Sequence, residues 1–218
     1  MNPELSHFIE KFRQVTAEAE RFCFATRARE FQEVQVRNLN VLEEATTLKE
    51  QFAKSQNNDS ANAMLAICEM VSGLTAELSM WIHLKNEEMR SAWDALVDAQ
   101  YCARRAMQVH PVANHLTHYS ERLDFLEHLL FPPQIFVSTG LTVRKSSCSI
   151  CGQPYGECDH LKGRAYMGQQ CHEIVEEIGE LNHVAIVEDP ASKHCRMTQF
   201  GDGTVQRDIL TWREIPDK

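Results

Sequence analysis

The chemistry of this chain is concentrated in one stretch, "CSICGQPYGECDHLKGRAYMGQQC", residues 148–171. It carries Cys148, Cys151, Cys158, His160 and Cys171 within 24 residues. Cys148-Ser-Ile-Cys151-Gly is a C-x2-C-G knuckle. Two cysteines three positions apart turn their sulfurs to one point when the backbone makes a tight turn, and the following glycine relieves that turn. Cys158 and His160 follow after a loop containing Pro154 and Gly156, giving C-x2-C-x6-C-x-H. Thiolate and imidazole donors in a tetrahedral set suit Zn(II) best. The first-choice ligand set is Cys148, Cys151, Cys158 and His160. A second set replaces Cys158 by Cys171, and an iron–sulfur cluster on Cys148, Cys151, Cys158 and Cys171 is a further alternative.

Other uses of the cysteines fit less well. A C-x-x-C redox pair opens a helix in a βαβ setting, whereas here Gly-Gln-Pro follows the knuckle. A disulfide knot needs an oxidising compartment. The N-terminal "MNPELSHFIEKFRQ" has no charged region followed by an apolar one, and no long uninterrupted apolar run suggests a membrane span. The expectation is a cytoplasmic protein with reduced thiols. Catalytic zinc keeps an open position beside three protein ligands. Four good ligands, three of them thiolates, point to a closed structural site instead. Cys23, Cys68 and Cys102 stand alone in helical sequence and read as small hydrophobes.

The elements that must position this cluster fall into two grammars. Of nine glycines only Gly73 precedes residue 140, and no proline lies between Pro3 and Pro111. Apolar residues recur at helical steps: Leu5, Phe8, Phe12, Val15, Ala19, Phe22, then Phe31, Val34, Leu42, Phe52. A second series runs Met64, Ile67, Val71, Leu74, Leu78, Trp81, Trp93, Leu96, Ala103, Met107. The pattern predicts two long helices, 3–54 and 60–109, each about 75 Å if unbroken. The polar "SQNNDSAN" between them supplies Asp59 or Ser60 as N-cap and makes an antiparallel hairpin. A third helix covers 112–130, with His115, His118 and His128 as solvent-facing positions, and "FPP" ends it. Phe8, Phe12, Phe22, Trp81 and Trp93 form a stripe that a protein partner, or a second copy, would cover. "QIFVSTGLTV" reads as a strand, "QQCHEIVEEIG" as a helix stopped by Gly179, "HVAIVEDP" as a buried strand, and residues 194–212 as a hairpin around Gly201-Asp202-Gly203. The fold class is therefore α+β: a helical domain over 1–133, with a long antiparallel hairpin and a third helix, then a small zinc-stabilised α+β domain over 134–218.

The net charge of −9, with 22 basic against 31 acidic residues and no basic run, argues against a nucleic-acid partner. With no membrane signal either, the expected partner is a protein.

Two segments resemble a known family. "FVSTGLTV", 136–143, is similar to the serine-bearing strand of tailed-phage prohead proteases, and "ELNHVAIVEDPASKHCRM", 180–197, to the strand that closes their core. The cysteine stretch between them looks like a zinc-knuckle insertion of phage- and prophage-type proteins. The resemblance implies Ser138 as a nucleophile served by a histidine on an upstream strand. In this chain residues 1–130 read as helix, and the histidines left are His128, ahead of two prolines, and His183 with Glu180 as orienter; His160 is engaged by metal. The reading taken is a non-enzymatic interaction or assembly protein, phage-related or defence-associated. The alternative is a serine protease using Ser138, or a zinc hydrolase.

Overall fold

In the computed structural model the described residues are 3–20, 28–201 and 205–215. Among the described residues five α-helices precede seven strands, so the α+β class holds. The helices are α1 (Pro3–Glu20), α2 (Ala28–Lys54), α3 (Asn58–Lys85), α4 (Met89–Val109) and α5 (Thr117–Leu130), with a 3-10 helix at Pro111–Leu116.

The second long helix is not continuous. It stops at Lys85 and resumes at Met89. Asn86 caps the break and Glu87 takes a left-handed φ of 59°. The stripe from Met64 to Met107 is thus two facing halves of one hairpin. Trp81 and Trp93 share a core with Phe31, Leu78, Leu96, Leu123, Leu126 and Phe131. Facing helices explain the pattern better than one rod does: a single helix of that length would leave its apolar stripe wet, and folding it back buries both halves. Gly73 makes the close approach possible, since a Cβ there would lie 3.1 Å from the Cys102 Cβ. The first long helix is likewise described as two, and residues 21–27, the side chains of Phe12, Val15 and Ala19, and the whole of Phe22 and Cys23 lie outside the described residues.

The turn before α3 is where the sequence placed it, with a different cap. The Asn57 side chain, not Asp59 or Ser60, accepts the Ser60 N–H at 3.2 Å. The α3 segment is long and apolar enough to cross a membrane, and two thirds (67%) of the qualifying stretch is buried inside the bundle. Its residues 60–68 are enclosed by Leu5 and Phe8 of α1, Val41, Ala45 and Phe52 of α2, and Ala106 and Val109 of α4. Phe8, Trp81 and Trp93 are therefore satisfied within the chain itself. Cys68 is buried and Cys102 half-buried. Burial raises both thiols, Cys102 to about 12 with help from the Glu69 charge, as expected of inert packing cysteines.

The strands form three small sheets. β1 (Phe136–Cys148) pairs antiparallel with β4 (Glu173–Val187) as a long two-stranded ribbon. β2 (Ala165–Tyr166) and β3 (Gln169–Gln170) form a short hairpin. β5 (Gln199–Gly201), β6 (Gln206–Asp208) and β7 (Glu214–Ile215) form a three-stranded sheet; the strand pair expected about Gly201-Asp202-Gly203 is present, and Asp202 and Gly203 themselves lie outside the described residues. Two expectations fail. "QQCHEIVEEIG" is not a helix: Cys171 and His172 are irregular, β4 starts at Glu173, and Gly179 lies within the strand rather than ending a helix. "HVAIVEDP" is strand up to Val187 but is not buried, since Val184 and Ile186 are exposed.

The C-terminal segments grip the bundle near the start of α4. Phe136 and Leu210 join the Trp93 core, with Trp93 edge-on to Phe131 at 5.4 Å. Trp93 Nε1 donates to the Lys193 carbonyl, and Lys193 Nζ reaches Glu127 at 2.5 Å. Arg90 Nε donates to Asp208 at 2.5 Å. Burial alone would raise the Asp208 carboxyl. Arg90 and the N–H groups of Thr211 and Leu210 outweigh it and hold the carboxyl below its ordinary 3.8.

Trp93→Ala should lower unfolding stability by about 3–5 kcal/mol in chemical denaturation, because the side chain is fully enclosed. Asp208→Asn should cost roughly 1–3 kcal/mol near neutral pH. The depressed carboxyl stabilises the fold above its ordinary range, and that contribution is lost as pH falls through the lowered value. The gap between wild type and Asp208→Asn should therefore close on acidification below pH 3.8.

Candidate metal centre

The knuckle is built by backbone hydrogen bonds at the tip of the ribbon. Cys148 N donates to the Gln153 carbonyl and Gly152 N to the Cys148 carbonyl, both at 2.8 Å. Gly152 closes this turn with φ +70°, a conformation that side chains with a Cβ avoid. Ile150 N points at Cys148 Sγ, 3.4 Å away. A mutual pair, Ser149 N to the His172 carbonyl and His172 N to Ser149 Oγ, ties the knuckle to the returning strand. Cys171 N bonds to Arg164 O and Gly163 N to Cys171 O, each at 2.8 Å, which brings Cys171 in beneath.

Four donor atoms converge. The ligand atoms of Cys148, Cys151, Cys158 and His160 all lie within 4.8 Å of one another, so this group could hold a metal ion. These are the four residues of the first-choice set. Cys148 is fully buried, Cys158 and His160 half-buried and Cys151 exposed. Cys171 is also present, with its Sγ 3.8 Å from Cys148 Sγ. Cys171 thus borders the four-donor group beside Cys148.

The donor chemistry fits a cation. His160 Nδ1 is buried and has no hydrogen-bond partner. A buried, unpaired ring nitrogen is costly unless something accepts its lone pair or its proton. The ring itself is held edge-on by Tyr166 at 4.6 Å, whose hydroxyl takes the Leu161 N–H at 2.9 Å. Burial pushes the Cys148 thiol up, but the N–H groups of Ile150 and Cys151 and the neighbouring Cys158 and Cys151 thiols bring it down to about 6. Burial, then the hydrogen bond with Cys148 and its charge, raise Cys171 to about 11. The Cys148 thiolate forms readily while Cys158 and Cys171 are pushed up, which is the electrostatic situation a divalent ion relieves.

The cluster is moored to the far end of the bundle by residues that the sequence reading overlooked. Met167 N donates to Asn58 Oδ1 at 2.8 Å and Gly168 N to Asn62 Oδ1 at 2.9 Å. Asn62 Nδ2 returns a bond to Ala165 O. Arg105 Nε reaches Gln170 Oε1 at 3.0 Å. Gly168 lies so close to Lys49 and Ala61 that a Cβ would fall 2.8 Å from Lys49 Cγ. The signal for this mooring was present: Asn62 is a polar residue within the apolar run Ala61–Cys68.

The residues of the protease-like reading are not assembled into a catalytic unit. Ser138 faces Ala185, and His183 faces Gly140 one step along the same side of the ribbon. Among the described residues no hydrogen bond joins Ser138 to a histidine, and His183 is exposed. Glu180 pairs by its backbone with Thr142 Oγ1. His128 lines a separate cavity of about 560 Å³ with Phe131, Phe136 and Lys193.

Comparison with protein-family models, curated proteins and solved structures finds no match.

Cys148→Ser and Cys151→Ser should each abolish stoichiometric metal binding and disorder the ribbon tip, while leaving most of the helical circular-dichroism signal. His160→Ala and Cys171→Ser separate the ligand sets: loss of metal in the first with retention in the second assigns His160 as the fourth ligand.

Proposed function

We propose that this chain is a non-enzymatic protein-interaction or assembly protein whose C-terminal domain is stapled by one structural Zn(II) held by Cys148, Cys151, Cys158 and His160. The observation that carries the reading is the convergence of three thiols and a His160 ring nitrogen within 4.8 Å, on a ring whose buried Nδ1 has no hydrogen-bond partner. Sulfur and nitrogen donors in a four-member set favour zinc over harder cations. With every position of a tetrahedron supplied by the chain, no site is left for a reacting water, which supports a structural role.

Small sheets with little core gain most from such a staple. The helical half supplies surface for a protein partner: Val36 and Leu39 on α2, and Phe125 and Leu129 on α5, are exposed apolar pairs at helical spacing. The resemblance of residues 134–197 to phage-type proteins supports a phage-encoded or defence-associated setting, and carries no activity with it. An activated serine needs an oriented base within hydrogen-bond reach, and Ser138 has no such bond.

Elemental analysis of protein purified without added metal should find about one zinc per chain. A fluorophosphonate probe should leave Ser138 unlabelled. A metal-free folded protein with all its cluster thiols freely reactive would end the zinc reading, and stoichiometric labelling lost in Ser138→Ala would end the non-enzyme reading.

A further inference from the structure

The β1–β4 ribbon has two unlike faces. Directly opposed residues of an antiparallel pair point to the same side. Phe136 with Val187, Ser138 with Ala185, and Gly140 with His183 share one side, which starts in the Trp93 core and continues polar. Val137 with Ile186, Thr139 with Val184, Leu141 with Leu181, and Val143 with Ile178 share the other. From Val137 to Val143 that second side is apolar apart from Thr139. It is also uncovered: Ile186 is 74% exposed, Leu181 67%, Val184 64% and Ile178 59%.

We propose that this face is the homodimer interface, where a second copy of the chain lays its own ribbon face to face to form a four-stranded, two-layer core. A two-stranded ribbon is marginal in water unless one face packs on something, and the helices make no substantial contact with its middle. The exposed area of the apolar row is roughly 600 Å² per chain, at the upper limit for a monomer's largest patch and close to the ~800 Å² that each partner gives to a standard interface. The row carries no charge, so a two-fold copy meets it without like-charge contact despite the net charge of −9. The charges that border the row, Arg144 and Lys145, are already paired across the ribbon with Glu177 and Glu176. Face packing fits better than edge pairing, because four register irregularities between Gly140 and Ser146 spoil the outer edges as templates.

The test is sedimentation velocity on the full chain, purified with its bound metal, across micromolar concentrations. Wild type should run as a dimer. The triple variant Ile178→Thr, Leu181→Thr, Val184→Thr places a β-branched strand former at each position and should raise the dimer dissociation constant by about 100-fold or more, with circular dichroism and metal content unchanged. Val36→Asp with Phe125→Asp, on the helical faces, should leave the dimer intact. A wild type that is monomeric at 100 μM overturns the proposal, as does a dimer that survives the ribbon variant or is lost only with the helical one. If the triple variant misfolds, the single Leu181→Thr decides: an undiminished dimer in that variant overturns the proposal. These outcomes are independent of whether zinc is found.

Discussion

Everything in the C-terminal half depends on how several thiols and one imidazole tolerate each other at contact distance. Cys148 ionises near neutral pH, about 6, while Cys171, 3.8 Å away, is held protonated toward 11. Adding a second thiolate to such a cluster is opposed by the first. A divalent cation at the centre reverses each of those repulsions. The consequence extends beyond the cluster, because β1 ends at Cys148 and its partner strand begins opposite it at Glu173. The 24 residues between them form a loop whose closure costs on the order of 3 kcal/mol in chain entropy. Fixing the knuckle closes the first half of that loop, and the Ser149–His172 pair ties it to the returning strand.

The bundle holds the ribbon at both ends by different physics. Near the start of α4 the contact is a core: Trp93, Phe131, Phe136 and Leu210 exclude water together. Beside it, Lys193 satisfies Gln100 and Glu127 across the boundary. Near the start of α3 the contact is almost wholly polar. Asn58 and Asn62 read the backbone of the β2–β3 turn as a strand would, donor to acceptor and back. Such bonds are directional and contribute about 1 kcal/mol each, so they orient the cluster more than they glue it. The apolar end anchors and the polar end aims.

How much of this was readable in the sequence depended on whether local pattern and tertiary context agreed. The four donors were readable, because ligand spacing in a knuckle is a local property of ten or so residues. The turn at Gln56–Asn57 was readable from its polar run. The break at Asn86–Glu88 was not, since "HLKNEEMR" contains neither glycine nor proline, and Glu87 is forced to φ 59° by the packing of the flanking helices rather than by its own preference. Asp59 looked like a cap and Asn57 is the cap, a two-residue error of the kind that boundaries invite. Asn58 and Asn62 read only as part of the polar run between helices, because their partners lie more than a hundred residues away.

The helix expected at 169–179 failed for a reason that illuminates the ribbon. Cys171, Ile174, Val175 and Ile178 are spaced three and four apart, the signature of a helical face. In the ribbon, Ile178, Leu181 and Val184 stay on one side although they too are three apart. An ideal strand alternates every two residues and cannot do that. The register shifts at Gly140/Leu141 and Leu141/Val143 absorb one additional β4 residue in each step, so a period of two becomes a period of three. The bulges keep Ile178, Leu181 and Val184 in a single row, whereas Ile174 and Val175, opposite Ser147 and Ser146, fall on alternate sides of the ribbon. The two bulged strands turn that row outward, and no other part of the described chain is placed to cover it.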